Sequence, residues 1–248
     1  METNAERDVA FQAREFRGSR FRCLLATCLP KAKFVDWLNS LIQPHAKVTE
    51  HDVYMPFGFS RPDEARLGET RGFLSEKQRE CVTSWWLAVR EKANTPNWDL
   101  LSTCMIEGRE GLVLLEAKAH GGELKEHDCC GAKNEQNRKQ ICQAIEEASK
   151  ALGSDWALKE NGRYQLSNRF AWAWKIASLG KPVVLVYLGF LNANEMPEPF
   201  QDDASWENCL RKYANGCVPQ NAWNSDKIVV GTRLIPLIRS ANVNVIAS

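Results

Sequence analysis

The sequence predicts an α/β protein with a central mixed β-sheet flanked by helices. Three features carry this. Val183–Leu191 is an unbroken apolar run of β-branched, leucine and aromatic residues, the pattern of a strand buried on both faces. Leu100–Ile106 and residues 112–115 are apolar arms around the polar, glycine-containing segment 107–111, the pattern of a β-hairpin. Around these strands lie stretches with helical spacing of apolar residues, several with recognisable start and stop residues.

The 248 residues, 44% hydrophobic and 25% charged, have an ordinary globular composition with enough length to bury a good core. No repeat, low-complexity run or clear linker divides them. One domain spanning 1–248 is expected, its core at about 74–191 with additions at both ends. No apolar run approaches the roughly 20 residues of a membrane span, and the polar start has no signal-peptide core. A soluble, cytoplasmic protein with no membrane partner is therefore expected. The nine cysteines are odd in number, scattered and often set in apolar stretches, as reduced thiols are. A net charge of +1 argues against coating nucleic acid by bulk electrostatics, though not against a locally lined cleft.

Along the chain, residues 5–22 end in Arg14, Arg17, Arg20 and Arg22 interleaved with Phe16 and Phe21. They read as an amphipathic helix laid down by Phe11 and Phe16, or as a phosphate-gripping, base-stacking stretch. Pro30 opens a helix with Phe34, Val35, Leu38, Leu41 and Ile42 on one face, closed by Gln43-Pro44. Residues 45–73 are irregular, with a short strand around Val53, Tyr54 and Met55, and form the expected lid or substrate loop. Ser75 and Gln78 make a capping box for a helix whose stripe is Val82, Trp85, Trp86, Val89 and Ala93, ended by Thr95-Pro96.

After the hairpin, Ile141, Ile145, Ala148 and Leu152 define a helix stopped by Gly153, and Ser167 caps another that ends at Gly180. Residues 205–213 suggest a short helix. Residues 227–230 read as a strand, while Pro236 demotes 233–239 to an edge strand or broken helix. Cys129 and Cys130 are adjacent and lack the spacing of a zinc site.

Chemistry concentrates at the open end of the hairpin. Asp99 stands where the first strand begins, and Glu116 and Lys118 where the second finishes. Glu116 and Lys118 are two apart and share a face. With four residues in the loop, Ile106 pairs with Gly111 and Asp99 falls opposite Lys118 on that same face. Charged groups beside apolar strands need partners. A divalent cation suits two carboxylates, because Mg²⁺ takes a few protein oxygens and keeps several waters. Lys118 would then orient or deprotonate a bound water, or neutralise a phosphate. A second Glu-x-Lys, Glu123-Leu124-Lys125, sits in a polar stretch with no strand before it and reads as solvated loop.

Asp99, a hairpin, then Glu116-Ala117-Lys118 at the end of an apolar strand resembles the PD-(D/E)XK, or restriction-endonuclease-like, nuclease superfamily. Pro96 stands three residues before Asp99 and not immediately before it. The resemblance covers the core alone. It implies a restriction-endonuclease-like core, Mg²⁺ (with Mn²⁺ as substitute) held by Asp99, Glu116 and the carbonyl of Ala117, Lys118 assisting water attack, and cleavage of phosphodiester bonds. It also implies a carboxylate from the preceding helix, with Glu80 and Glu76 as candidates, and a polar residue from the following one, Gln140. The expected partner is nucleic acid, DNA before RNA, with a homodimer as a compatible assembly. The alternative is a catalytically inactive nuclease-like module that binds nucleic acid or protein.

Overall fold

The computed structural model describes residues 17–242. In chain order the elements are α1 (Gly18–Thr27), α2 (Lys31–Ile42), β1 (Tyr54–Met55), β2 (Ala65–Arg66), α3 (Glu76–Trp86), β3 (Asn97–Trp98), β4 (Leu100–Ile106), β5 (Arg109–Lys118), α4 (Glu135–Leu152), α5 (Tyr164–Ser178), β6 (Val183–Leu191), α6 (Asp203–Ala214), β7 (Lys227–Val229) and β8 (Thr232–Asn242). Six strands form one mixed sheet in the order β1-β4-β5-β6-β8-β7, and β2 pairs with β3 apart from it. β4 and β5 are an antiparallel hairpin, β5, β6 and β8 run parallel, and the short β1 and β7 close the edges antiparallel. No helix among the described residues is long and apolar enough to cross a membrane.

The pleat sorts the strands' side chains onto two covered faces. Val113, Leu115 and Ala117 of β5 join Val184, Val186 and Leu188 of β6 beneath α1 and α2. Leu112 and Leu114 join Val183, Leu185 and Tyr187 beneath α3, α4, α5 and α6, where Trp86, Phe170, Trp172 and Trp206 are fully buried. Glu116 and Lys118 share the parity of Leu112 and Leu114. They therefore point toward the second face, into the helical layer that holds α5.

Several sequence signals act as expected. Ser75 Oγ accepts the Gln78 N–H at 3.2 Å while Gln78 Oε1 accepts the Ser75 N–H at 3.1 Å, which satisfies two N-terminal donors of α3. Gly153 ends α4 at φ 137°, and β6 is buried along its whole length. In α2, Trp37 is buried in the place expected of Val35.

Other expectations are corrected by contacts distant in sequence. α3 stops at Trp86, well before Thr95-Pro96, because Asn137 of α4 clamps the next segment: its side chain accepts the Val89 N–H and donates to the Val89 carbonyl, both at 2.7 Å. α5 begins at Tyr164, ahead of Ser167, because Asp128 accepts the Tyr164 and Gln165 N–H groups at 2.7 Å each. Residues 233–239 belong to the long strand β8, paired with β6 from Leu234 onward. Pro236 is tolerated there because β7 pairs only as far as Leu234. Beyond it, the Pro236 carbonyl accepts from the Asn224 N–H on the flank where a ladder N–H is no longer needed. The expected helix over 5–22 lies partly outside the described residues. Within them α1 starts at Gly18, and Arg22 is buried in a bidentate pair with Glu195 at 2.6 and 2.7 Å.

Candidate active site

The hairpin loop is shorter than expected, and this sets the site. Ile106 pairs with Arg109, leaving the two-residue turn Glu107-Gly108 with φ of 49° and 76°. Positive φ at both central positions is the I′ geometry that matches strand twist. Leu100 consequently pairs with Leu115, and continuing the register by one step sets Asp99 level with Glu116, not with Lys118. The register differs by two residues from the expected one. A shift of two leaves every side chain on its original face, so Asp99, Glu116 and Lys118 still converge.

Each group is held from a different element. Asp99 sits in a bend between β3 and β4, and its Oδ2 accepts the Ala117 N–H at 2.7 Å. Glu116, 2% exposed, uses one carboxylate oxygen on Lys118 Nζ and accepts the Arg169 Nε–H on the other at 2.7 Å. Arg169 comes from α5, 6% exposed. It donates to Asn168 Oδ1 at 2.8 Å, and its guanidinium lies 4.7 Å from the centroid of the Trp98 ring on β3. Lys118, Glu116 and Arg169 thus form a buried cation–anion–cation row. The sequence reading missed Arg169, which lies 53 residues beyond Glu116 in an otherwise aromatic, core-like helix.

Charge in this row is unequally shared. Burial pulls the Glu116 acid upward, but Arg169 and Lys118 outweigh it and hold the pKa below the ordinary carboxylate range. Burial opposes the Lys118 charge and is outweighed by Glu116 and Asp99, so its pKa is raised and the ammonium stays protonated. Asp99 is left short of positive charge. Burial and the neighbouring Glu116 push its pKa up to about 8, with Lys118 and the Ala117 N–H only partly compensating.

These residues form the floor of a cleft of about 1090 Å³, whose wall also carries Glu64, Glu123, Asn168 and Lys125. Glu123 is not free in a solvated loop: it accepts the Ala119 N–H at 2.7 Å and the Ser19 N–H at 3.3 Å, tying β5 to the start of α1. The buried Cys23 of α1 reports the same crowding of acids, its thiol pushed up by burial and by Asp99, Glu64, Glu116 and Glu123.

Three candidates are not brought to the cleft. Glu80 is exposed on α3 and paired with Arg90, one contact being 2.8 Å. Gln140 donates to the Trp85 and Ser84 carbonyls at 2.9 and 3.3 Å, so it satisfies the end of α3 and does not line the site. Glu76 does not line it either.

The donor set can be weighed against a hard divalent cation. No group of three or more His, Cys, Asp or Glu side chains among the described residues is arranged to hold a metal. Mg²⁺ is commonly bound by one or two carboxylates plus water and substrate oxygens, so a full protein cage is not required. Asp99, buried and beside Glu116, holds its proton up to about 8, so a divalent ion in place of that proton would relieve the crowding of the two acids, and a carboxylate oxygen already bonded to one cation retains a further lone pair. The chemistry of the donors fits. Comparison with known proteins adds no relative: no family model, curated protein or solved structure matches the chain. The fold and floor together define an α/β protein with a buried acid–base cluster at the base of an open cleft.

Proposed function

We propose that the protein is a metal-dependent nuclease that hydrolyses phosphodiester bonds of nucleic acid, DNA before RNA. The observation that carries this reading is the meeting of Asp99 and Glu116 on one face beside Lys118 at the cleft floor. The resemblance to the PD-(D/E)XK superfamily is the second support.

Asp99 and Glu116 would hold Mg²⁺ or Mn²⁺, with the Ala117 carbonyl as the further ligand that the resemblance implies. Such an ion supplies Lewis-acid activation of water and stabilises charge on the phosphate. Lys118, being protonated, neutralises and hydrogen-bonds a phosphoryl oxygen; it does not remove a proton from water. Arg169 orients the Glu116 carboxylate by occupying one oxygen, and it lowers the negative charge that a polyanionic substrate meets at the floor. Asp99, which holds its proton up to about 8, would exchange that proton for the metal ion.

One observation favours a second reading. Both Glu116 oxygens are engaged by Lys118 and Arg169, a closed arrangement that would also suit a catalytically inactive binding module. Cleavage of labelled DNA and RNA with Mg²⁺, against EDTA, separates the two. The nuclease reading expects cleavage that falls by about 10²-fold or more in Glu116→Ala and in Lys118→Ala. Cleavage surviving both substitutions would remove the mechanism.

A further inference from the structure

Three arginines elsewhere in this protein close on a glutamate with two nitrogens. Arg22 sets Nη1 and Nη2 on Glu195 at 2.6 and 2.7 Å, Arg90 uses both terminal nitrogens on Glu80, and Arg211 places Nε and Nη2 on Glu207 at 2.7 Å each. Such forks are the common arginine–carboxylate geometry. Arg169 departs from it. Its Nε–H reaches Glu116 Oε2, its Nη1 donates to Asn168 Oδ1, and Nη2 forms no hydrogen bond among the described residues.

Two neighbours hold the guanidinium in this pose. Asn168 lines the cleft, is 5% exposed and stands inside α5, where asparagine is a poor helix former. It is not needed as a cap, because Asp128 already accepts from the first N–H groups of that helix. Its oxygen draws Nη1 away from Glu116. Trp98, fully buried, sets the plane: the guanidinium lies over its ring, 4.7 Å from the centroid.

The pose decides how many lone pairs Glu116 keeps. Each carboxylate oxygen has two. Lys118 Nζ takes one on Oε1 and Arg169 Nε takes one on Oε2, so each oxygen retains another. Were Nη2 to swing onto Oε2, as the matching nitrogen of Arg211 does on Glu207, that oxygen would be filled.

We infer that Asn168 is a positioning residue: by holding Arg169 Nη1 it keeps the guanidinium from closing as a fork on Glu116, and so keeps a lone pair of that buried acid open to a divalent cation. This role rests on the metal-dependent reading of the site and deepens it, because it explains how an acid already paired with two cations can still serve as a ligand.

Calorimetric titration of the full chain with Mn²⁺ tests the role, with urea unfolding in EDTA to show that each variant is folded. Asn168→Ala frees Nη1 and should bind Mn²⁺ about tenfold weaker or worse, the usual cost of removing a group that orients a metal ligand. Asn168→Asp, which keeps the accepting oxygen, should bind no weaker than wild type. A lysine has one nitrogen and cannot fork, so in an Arg169→Lys background the addition of Asn168→Ala should change Mn²⁺ affinity by less than about twofold. A purely structural Asn168 predicts the same loss in both backgrounds. Asn168→Ala with wild-type affinity, or an equal loss in the two backgrounds, overturns the positioning role and leaves the nuclease reading standing. A wild-type protein that takes up no Mn²⁺ fails differently, since it removes the metal-dependent reading itself and the role of Asn168 with it.

Discussion

The Asp99 carboxylate accepts the backbone N–H of Ala117, the residue between Glu116 and Lys118, at 2.7 Å. This bond closes the open end of the hairpin with a side chain where the β4 ladder has run out. It keeps a carboxylate beside a second one at the cost of a strongly raised pKa.

A pH dependence follows, and its sign is fixed. In the unfolded chain Asp99 ionises near 3.9, whereas in the fold it retains its proton to about 8. Its contribution to stability is complete below about 4 and is lost as pH rises through about 8. Asp99→Asn, which keeps an acceptor for Ala117 and removes the charge, should show a melting-temperature gain over wild type that grows from pH 5 to pH 9 in EDTA. Equal gains at both pH values would refute the assignment.

Metal should act through the same group. At pH 8, Mg²⁺ at about 100 times its dissociation constant should stabilise the wild type by about 2.7 kcal/mol, since ligand that binds only the folded state shifts the equilibrium by mass action. Asp99→Asn should lose most of that effect, and a calorimetric Mn²⁺ isotherm should vanish with it. An isotherm of wild-type strength in the variant would take Asp99 out of the ligand set.

Arg169→Ala leaves Glu116 buried with only Lys118 to balance it, and breaking one side of a buried ion pair typically costs about 3–5 kcal/mol. Urea unfolding should register a loss of that order. Adding Glu116→Ala should cost less than the sum of the two single losses, because the carboxylate needing the guanidinium is gone. Strict additivity would mean that the two side chains are not coupled.

Glu80→Ala and Gln140→Ala should leave cleavage within about twofold of wild type, since neither residue lines the cleft. A large loss of turnover in a folded Glu80→Ala protein would return α3 to the site.

Gly189→Ala tests the packing above the sheet. A Cβ at this position of β6 would run into the Trp206 indole of α6. Overpacking of this kind costs about 1–3 kcal/mol, read as a lower denaturation midpoint with the slope unchanged.

Elements governed by neighbours in sequence were legible without coordinates. The Ser75–Gln78 capping box, the α4 stripe ended by Gly153, the hairpin and the fully apolar β6 are all written within a few consecutive residues. The site was legible to the same extent, because Glu-x-Lys parity follows from the two-residue period of a strand and survives a register shift of two. What escaped depends on partners far along the chain. No local signal shows that Glu107 will take positive φ in a two-residue turn, that Asn137 will end α3, or that Asp128 will start α5.

By itself the sequence determined an α/β chain that carries two acids and an amine to one end of a hairpin, since periodicity and turn chemistry are local properties. Only the tertiary structure decided that Asp99 stands level with Glu116, that Arg169 completes the buried row and that Glu80 is elsewhere. Those outcomes rest on hydrogen bonds and ion pairs between segments whose proximity exists only once the sheet and its helices have packed.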